Sequence, residues 1–85
     1  MIESAHLDGN SVAAMLYDVF GEDVTAHRGC CDHCGTVSPI ATVLVYRDCP
    51  GDVLRCPGCG SVLMVLVIEP GGIRVGMGTL RWIEI

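Results

Sequence analysis

The sequence predicts a small α+β domain: an N-terminal helix packed on an antiparallel β-sheet. Three observations predict it. The chain has 85 residues, the length of one domain rather than two. A single stripe of apolar residues at helical spacing lies near the start. After it come β-branched runs divided by Gly- and Pro-containing turns, and 51% of the residues are hydrophobic, with Val and Ile prominent, which favours strands. The whole of residues 1–85 is expected to form this one domain, since no linker or composition shift divides it.

The elements follow in order. Residues 1–6 read as a loose end. Asp8 is placed to cap a helix by accepting N–H bonds of the first turn, and Leu7 and Val12 stand where a hydrophobic staple would put them. Val12, Leu16, Val19 and Phe20 fall at i, i+4, i+7 and i+8, one helical face, which Met15 broadens. Gly21 is placed to end the helix in a left-handed conformation, so the helix is expected at about residues 9–20. Residues 22–29 read as a connector. Ile40 to Arg47 reads as a strand, and Asp48-Cys49-Pro50-Gly51-Asp52 as a turn. Val62 to Glu69 is a second strand, whose unbroken apolar run predicts burial on both faces. After the Pro70-Gly71-Gly72 turn, Ile73 to Met77 and Leu80 to Ile85 are expected to pair as a last hairpin.

The chemistry sits in the cysteines. Cys31-Asp32-His33-Cys34-Gly35 and Cys56-Pro57-Gly58-Cys59-Gly60 form two Cys-x2-Cys-Gly turns, separated by 21 residues. Two intervening residues let both sulfurs of a pair converge on one ion at about 2.3 Å. Gly35 and Gly60 permit the tight return of the chain, and Pro57 sets φ at the second bend. Strands flanking both turns bring the two tips together at the end of a sheet, which makes the β part, about residues 28–85, zinc-ribbon-like. Cys31, Cys34, Cys56 and Cys59 are therefore the expected ligands of one structural zinc ion. Four thiolates leave no open position, so such a site does not activate water. The metal would contribute on the order of 10 kcal/mol to folding, a useful staple for a core this small.

Other uses of these thiols are weighed against this one. A redox dithiol needs one pair near a helix N-terminus, whereas both pairs here precede strands. A disulfide framework needs an oxidising compartment. The N-terminus shows no basic flank and no apolar h-region, and the longest apolar run, Val62 to Ile68, is far short of the ~20 residues that span a bilayer, so a cytoplasmic location is expected. Iron is a nearer rival, because two such turns also resemble rubredoxin; but rubredoxins have an aromatic-rich core and lack the N-terminal helix, and this chain has one Trp, two Tyr and one Phe. Cys30 offers a three-residue spacing to Cys34 as an alternative to Cys31; the match to the second pair favours Cys31. Cys49 reads as a solvent-facing thiol in a turn. His33 reads as exposed, and His6 and His27 have no recognisable partner. The carboxylates show no pair spaced for acid–base work, and the His-x-Glu of zinc deaminases and a phosphate-binding Gly-rich loop are both missing.

Charge narrows the partners. The net charge is −5, with five Arg and no Lys, and four thiolates on one zinc ion take it to about −7. The arginines are scattered, whereas nucleic-acid binding rests on clustered cations; a membrane-surface patch is disfavoured for the same reason.

Leu7-Asp8-Gly9-Asn10, Val19-Phe20-Gly21, Cys31-x2-Cys34-Gly35, Cys56-Pro57-x-Cys59-Gly60 and Leu80-Arg81-Trp82-Ile83-Glu84-Ile85 together resemble an actinobacterial zinc-ribbon-like family of unknown function. The resemblance runs from about residue 7 to the end. It implies cysteine ligands at the four positions named and, through an association with redox-enzyme gene clusters, an accessory role; it implies no activity. The expected function is a non-enzymatic module that binds a protein partner or a second copy of itself. Trp82 is its candidate anchor, unless it packs beneath the helix.

Overall fold

The helical segment forms where the apolar stripe lies, in two parts. A computed structural model describes residues 7–48 and 51–84. In it Gly9–Val12 is a 3-10 turn and Ala13–Phe20 is the α-helix α1. Asp8 caps the first part, its Oδ1 accepting from the Asn10 N–H at 3.1 Å. Gly21 ends α1 at φ 78° with its N–H on the Tyr17 carbonyl. Both ends thus follow from sequence chemistry. Leu7 lies in a two-residue strand, β1 (Leu7–Asp8), paired with Val45.

Two antiparallel sheets follow. The larger has the order β1-β4-β5-β6-β7, with β4 at Leu44–Asp48, β5 at Gly51–Arg55, β6 at Val62–Glu69 and β7 at Gly72–Met77. The smaller has the order β3-β2-β8, with β2 at Arg28–Cys31, β3 at Val37–Pro39 and β8 at Leu80–Ile83. With α1 these sheets make the α+β class that the sequence predicts. The core lies on one face of the larger sheet. Register sets Val45, Leu54 and Met64 side by side, and all three are buried in one cluster with Val12 and Leu16 of the helical segment. Alternation then puts Tyr46, Val53 and Val65 on the opposite face, where they are only half-buried. The expected burial of β6 on both faces holds only in part: Leu63, Met64 and Leu66 are buried, Val65 and Val67 half-buried, and Ile68 is 69% exposed.

Three further expectations change. Ile40 to Arg47 is not one strand. Pro39 enters at φ −60°, and Ile40–Thr42 is a 3-10 turn whose N–H groups at Ile40 and Ala41 reach the His27 and Thr25 carbonyls; the strand begins at Leu44. The connector also yields β2 from Arg28 onward. And β7 and β8 do not pair as a hairpin. The N–H groups of Gly78 and Thr79 bond to the carbonyls of Leu63 and Val62 at 2.9 and 2.8 Å, so the chain runs on beside β6 and then crosses to pair β8 with β2. Arg28 and His27 fasten that last strand: Arg28 donates two bonds to the Glu84 carboxylate at 3.0 and 2.8 Å, and His27 Nδ1 lies 2.8 Å from the Glu84 carbonyl. The turn containing Cys49 and Pro50, residues 1–6 with His6, and Ile85 lie outside the described residues.

Gly9 packs the helical segment closely against the second 3-10 turn. A Cβ there would overlap the Ile40 carbonyl, so the two 3-10 turns meet backbone to backbone. Gly9→Ala is expected to lower stability by about 3 kcal/mol, the upper end for overpacking. The urea midpoint should fall with its slope unchanged.

Candidate metal centre

The two Cys-x2-Cys turns fold as copies of each other. Cys31 ends β2 and Cys56 follows β5. In each turn the first cysteine's carbonyl accepts from the glycine four residues on: Gly35 N–H at 2.8 Å and Gly60 N–H at 2.9 Å. In each, that cysteine's own N–H reaches the carbonyl five residues on, Thr36 at 3.0 Å and Ser61 at 2.9 Å. Both glycines sit at φ 79°, where a side chain would be strained. The loops press together as well, since a Cβ on Gly58 would collide with the Thr36 side chain.

This doubling gathers four sulfurs. The Sγ atoms of Cys31, Cys34, Cys56 and Cys59 all lie within 4.8 Å of one another, with Cys31–Cys59 at 3.8 Å and Cys34–Cys56 at 3.6 Å. A tetrahedron with metal–sulfur bonds of about 2.3 Å has an edge of about 3.8 Å, so the donor set fits one ion. Zinc and iron both accept four thiolates in this geometry. Cys31 and Cys56 are 2% and 1% exposed and belong to the hydrophobic core cluster, whereas Cys34 and Cys59 face solvent. The centre is therefore anchored in the core on one side and open to water on the other.

Hydrogen-bond donors surround the sulfurs unevenly. Ser61 Oγ lies 3.1 Å from Cys59 Sγ and 3.3 Å from Cys31 Sγ. Thr79 Oγ1 lies 3.0 Å from Ser61 Oγ and 3.6 Å from Cys31 Sγ. Cys34 Sγ instead donates to Thr36 Oγ1 at 3.0 Å, and the Gly58 N–H donates to Cys56 Sγ at 3.3 Å. The Ser61 hydroxyl is the main cause that holds the Cys31 thiol down at about 5 and keeps Cys59 below the ordinary thiol range. Burial pushes Cys56 the other way, to about 11.

Of the other candidates, Cys30 stays out of the cluster. It precedes Cys31 at an irregularity in the β2–β8 register, its register partners are Val37 and Trp82, and its sulfur is not among the four gathered ones. His33 is exposed within the first turn and is not among the gathered ligands. His27 has a partner that the sequence did not reveal, as described above. Trp82 does not pack beneath the helix: it lies on β8 in the smaller sheet and is 41% exposed. Sequence reading also missed the hydroxyls. Thr36 and Ser61 each directly follow a Cys-x2-Cys-Gly turn, a signal that was available; Thr79 comes from the distant β7–β8 crossing and leaves no local mark.

Fold and site together define a small α+β domain built around a four-cysteine cluster that can hold a metal ion. The chain belongs to a family of unknown function (DUF6510), which it matches over residues 3–85. No curated protein and no solved structure gives a significant match. Among the described residues no helix is long and apolar enough to cross a membrane.

Proposed function

We propose that this chain is a non-enzymatic module in which Cys31, Cys34, Cys56 and Cys59 hold one structural zinc ion, and that the domain so stiffened binds a protein partner in the cytoplasm. The observation that carries the proposal is the closed set of four sulfurs at tetrahedral spacing, which leaves no coordination position for substrate or water. Surface apolarity supports the binding role: Tyr17, Ile68, Met77 and Trp82 are all exposed, and Trp82 is of the residue type that anchors interfaces. The narrowest form of the proposal is an accessory to a redox enzyme, or a second copy of the chain as partner.

Charge speaks against nucleic acid. Four of the five arginines are engaged by carboxylates: Arg28 with Glu84, Arg47 with Asp52, Arg74 with Glu69 and Arg81 with Asp32. Arg55 lies over the Tyr46 ring. Among the described residues no cluster of unpaired arginines remains to track a phosphate backbone. The test is affinity capture from the native host, with metal content measured on the same sample. One zinc per chain and a stoichiometric protein partner are expected. A coloured protein with one iron per chain would make it an electron carrier, and a shift of labelled nucleic acid at physiological salt would overturn the protein-partner reading.

A further inference from the structure

We propose that Ser61, backed by Thr79, is the positioning residue that sets how tightly the four-cysteine centre keeps its metal. This inference rests on the metal-binding reading above and adds a residue outside the ligand set.

The geometry supports it in three ways. First, Ser61 Oγ touches sulfurs of both turns, Cys31 of the first at 3.3 Å and Cys59 of the second at 3.1 Å. It therefore ties the turns together across the ion. Second, a metal-bound thiolate has no proton, so it only accepts. The single Ser61 proton must then lie toward the sulfurs, and its oxygen is free to accept from Thr79 Oγ1 at 3.0 Å. The Thr79 hydroxyl has one proton, so when it donates to Ser61 it no longer donates to the Val62 carbonyl 3.2 Å away; that carbonyl still accepts from the Thr79 N–H at 2.8 Å, which holds the residue beside β6. The result is a chain of donors, Thr79 to Ser61 to thiolate, in which each bond polarises the next. Third, these hydroxyls come from two separate stretches of the chain: Ser61 leads into β6, and Thr79 sits at the crossing from β7 to β8. The outer shell thus forms only when both sheets are in place. Donors to a metal's ligands fix their orientation and tune their basicity, and their loss costs 10–100-fold in affinity in general.

The test uses the full chain loaded with Zn(II) or Co(II), with chelator competition for affinity and the thiolate-to-cobalt charge-transfer band for electronics. Ser61→Ala is expected to weaken affinity by about 10–100-fold and to move the band to longer wavelength, because sulfur lone pairs rise in energy when a donor is removed. Ser61→Thr keeps the hydroxyl and should restore both readouts. Thr79→Val should give a smaller change in the same direction. Thr42→Val, whose hydroxyl donates instead to the Pro39 carbonyl, should change neither. A merely structural role would lower affinity without moving the band. Unchanged affinity and band in Ser61→Ala and Thr79→Val, with the parent chain binding one ion, would overturn the role of Ser61 alone. A parent chain that takes up no metal would overturn the metal reading itself.

Discussion

Replacement of Cys56 by serine is expected to cost the chain its cooperative fold. Cys56 is 1% exposed and belongs at once to the core cluster and to the gathered sulfurs. Serine at that position leaves three thiolates and places a hydroxyl among apolar neighbours. Structural zinc sites contribute about 10–16 kcal/mol in zinc-finger peptides, whereas a whole domain is stable by only about 5–15 kcal/mol. The metal contribution therefore exceeds what the rest of so small a fold can spare. Cys30→Ser gives the contrast. Cys30 is also buried, but its Sγ lies near the Cys31 carbonyl at 3.7 Å and outside the four-sulfur group. A serine hydroxyl there can donate to that carbonyl, and the expected loss is about 1 kcal/mol, on the scale of one hydrogen bond and its desolvation. Circular dichroism and native mass spectrometry distinguish the two: Cys56→Ser should be unfolded or aggregated and metal-free, Cys30→Ser folded with one ion. Equal loss of folded signal in both would remove the special status of Cys56.

The contrast between the two cysteines also shows how far the sequence alone could reach. The spacing of the pairs identified the turns, because a Cys-x2-Cys-Gly return is a local event whose glycines at Gly35 and Gly60 must take positive φ. The helix was legible for the same reason: its cap at Asp8, its stop at Gly21 and its buried stripe all lie within a few residues of each other. Strand β6 was legible from its apolar run. Sheet membership was not. That β7 pairs with β6 while β8 crosses to β2 is decided by the bonds of Gly78 and Thr79 to Leu63 and Val62, partners well separated along the chain. A turn between two β-type runs looks the same in sequence whether the runs pair or part. The 3-10 turn at Ile40–Thr42 was hidden likewise, since Ile, Ala and Thr carry no helix signal and the bonds that fix the turn come from Thr25 and His27. At the site, the four cysteines that gather could be named from spacing but the Thr79 hydroxyl could not, because it reaches the sulfurs only through the crossing of the sheets.

Leu16→Ala is expected to weaken zinc binding although Leu16 lies on the helix and not in either cysteine turn. Leu16 is fully buried and is the one α1 residue classed as buried. Eight residues make a helix too short to persist alone, so α1 depends on this side chain for its place on the sheet. Truncating a buried leucine costs about 2–5 kcal/mol, depending on how far the site collapses. If the metal-free chain is unfolded, as the Cys56 argument requires, binding and folding are one equilibrium. The whole core penalty then appears in the apparent metal affinity. At 1.4 kcal/mol per tenfold, the Leu16→Ala chain should bind zinc roughly 30-fold to a few thousand-fold more weakly. Its cobalt charge-transfer band should stay where the parent's is, since the ligands and their donors are untouched. That pairing is the reverse of the electronic signature expected from Ser61→Ala. A Leu16→Ala chain with a lowered denaturant midpoint and unchanged zinc affinity would mean that the two cysteine turns close around the ion without the helix-covered core. The inclusion of Cys31 and Cys56 in the same buried cluster as Leu16 argues that they do not: the inner thiols are core residues, and whatever loosens the core would loosen their hold on a metal ion.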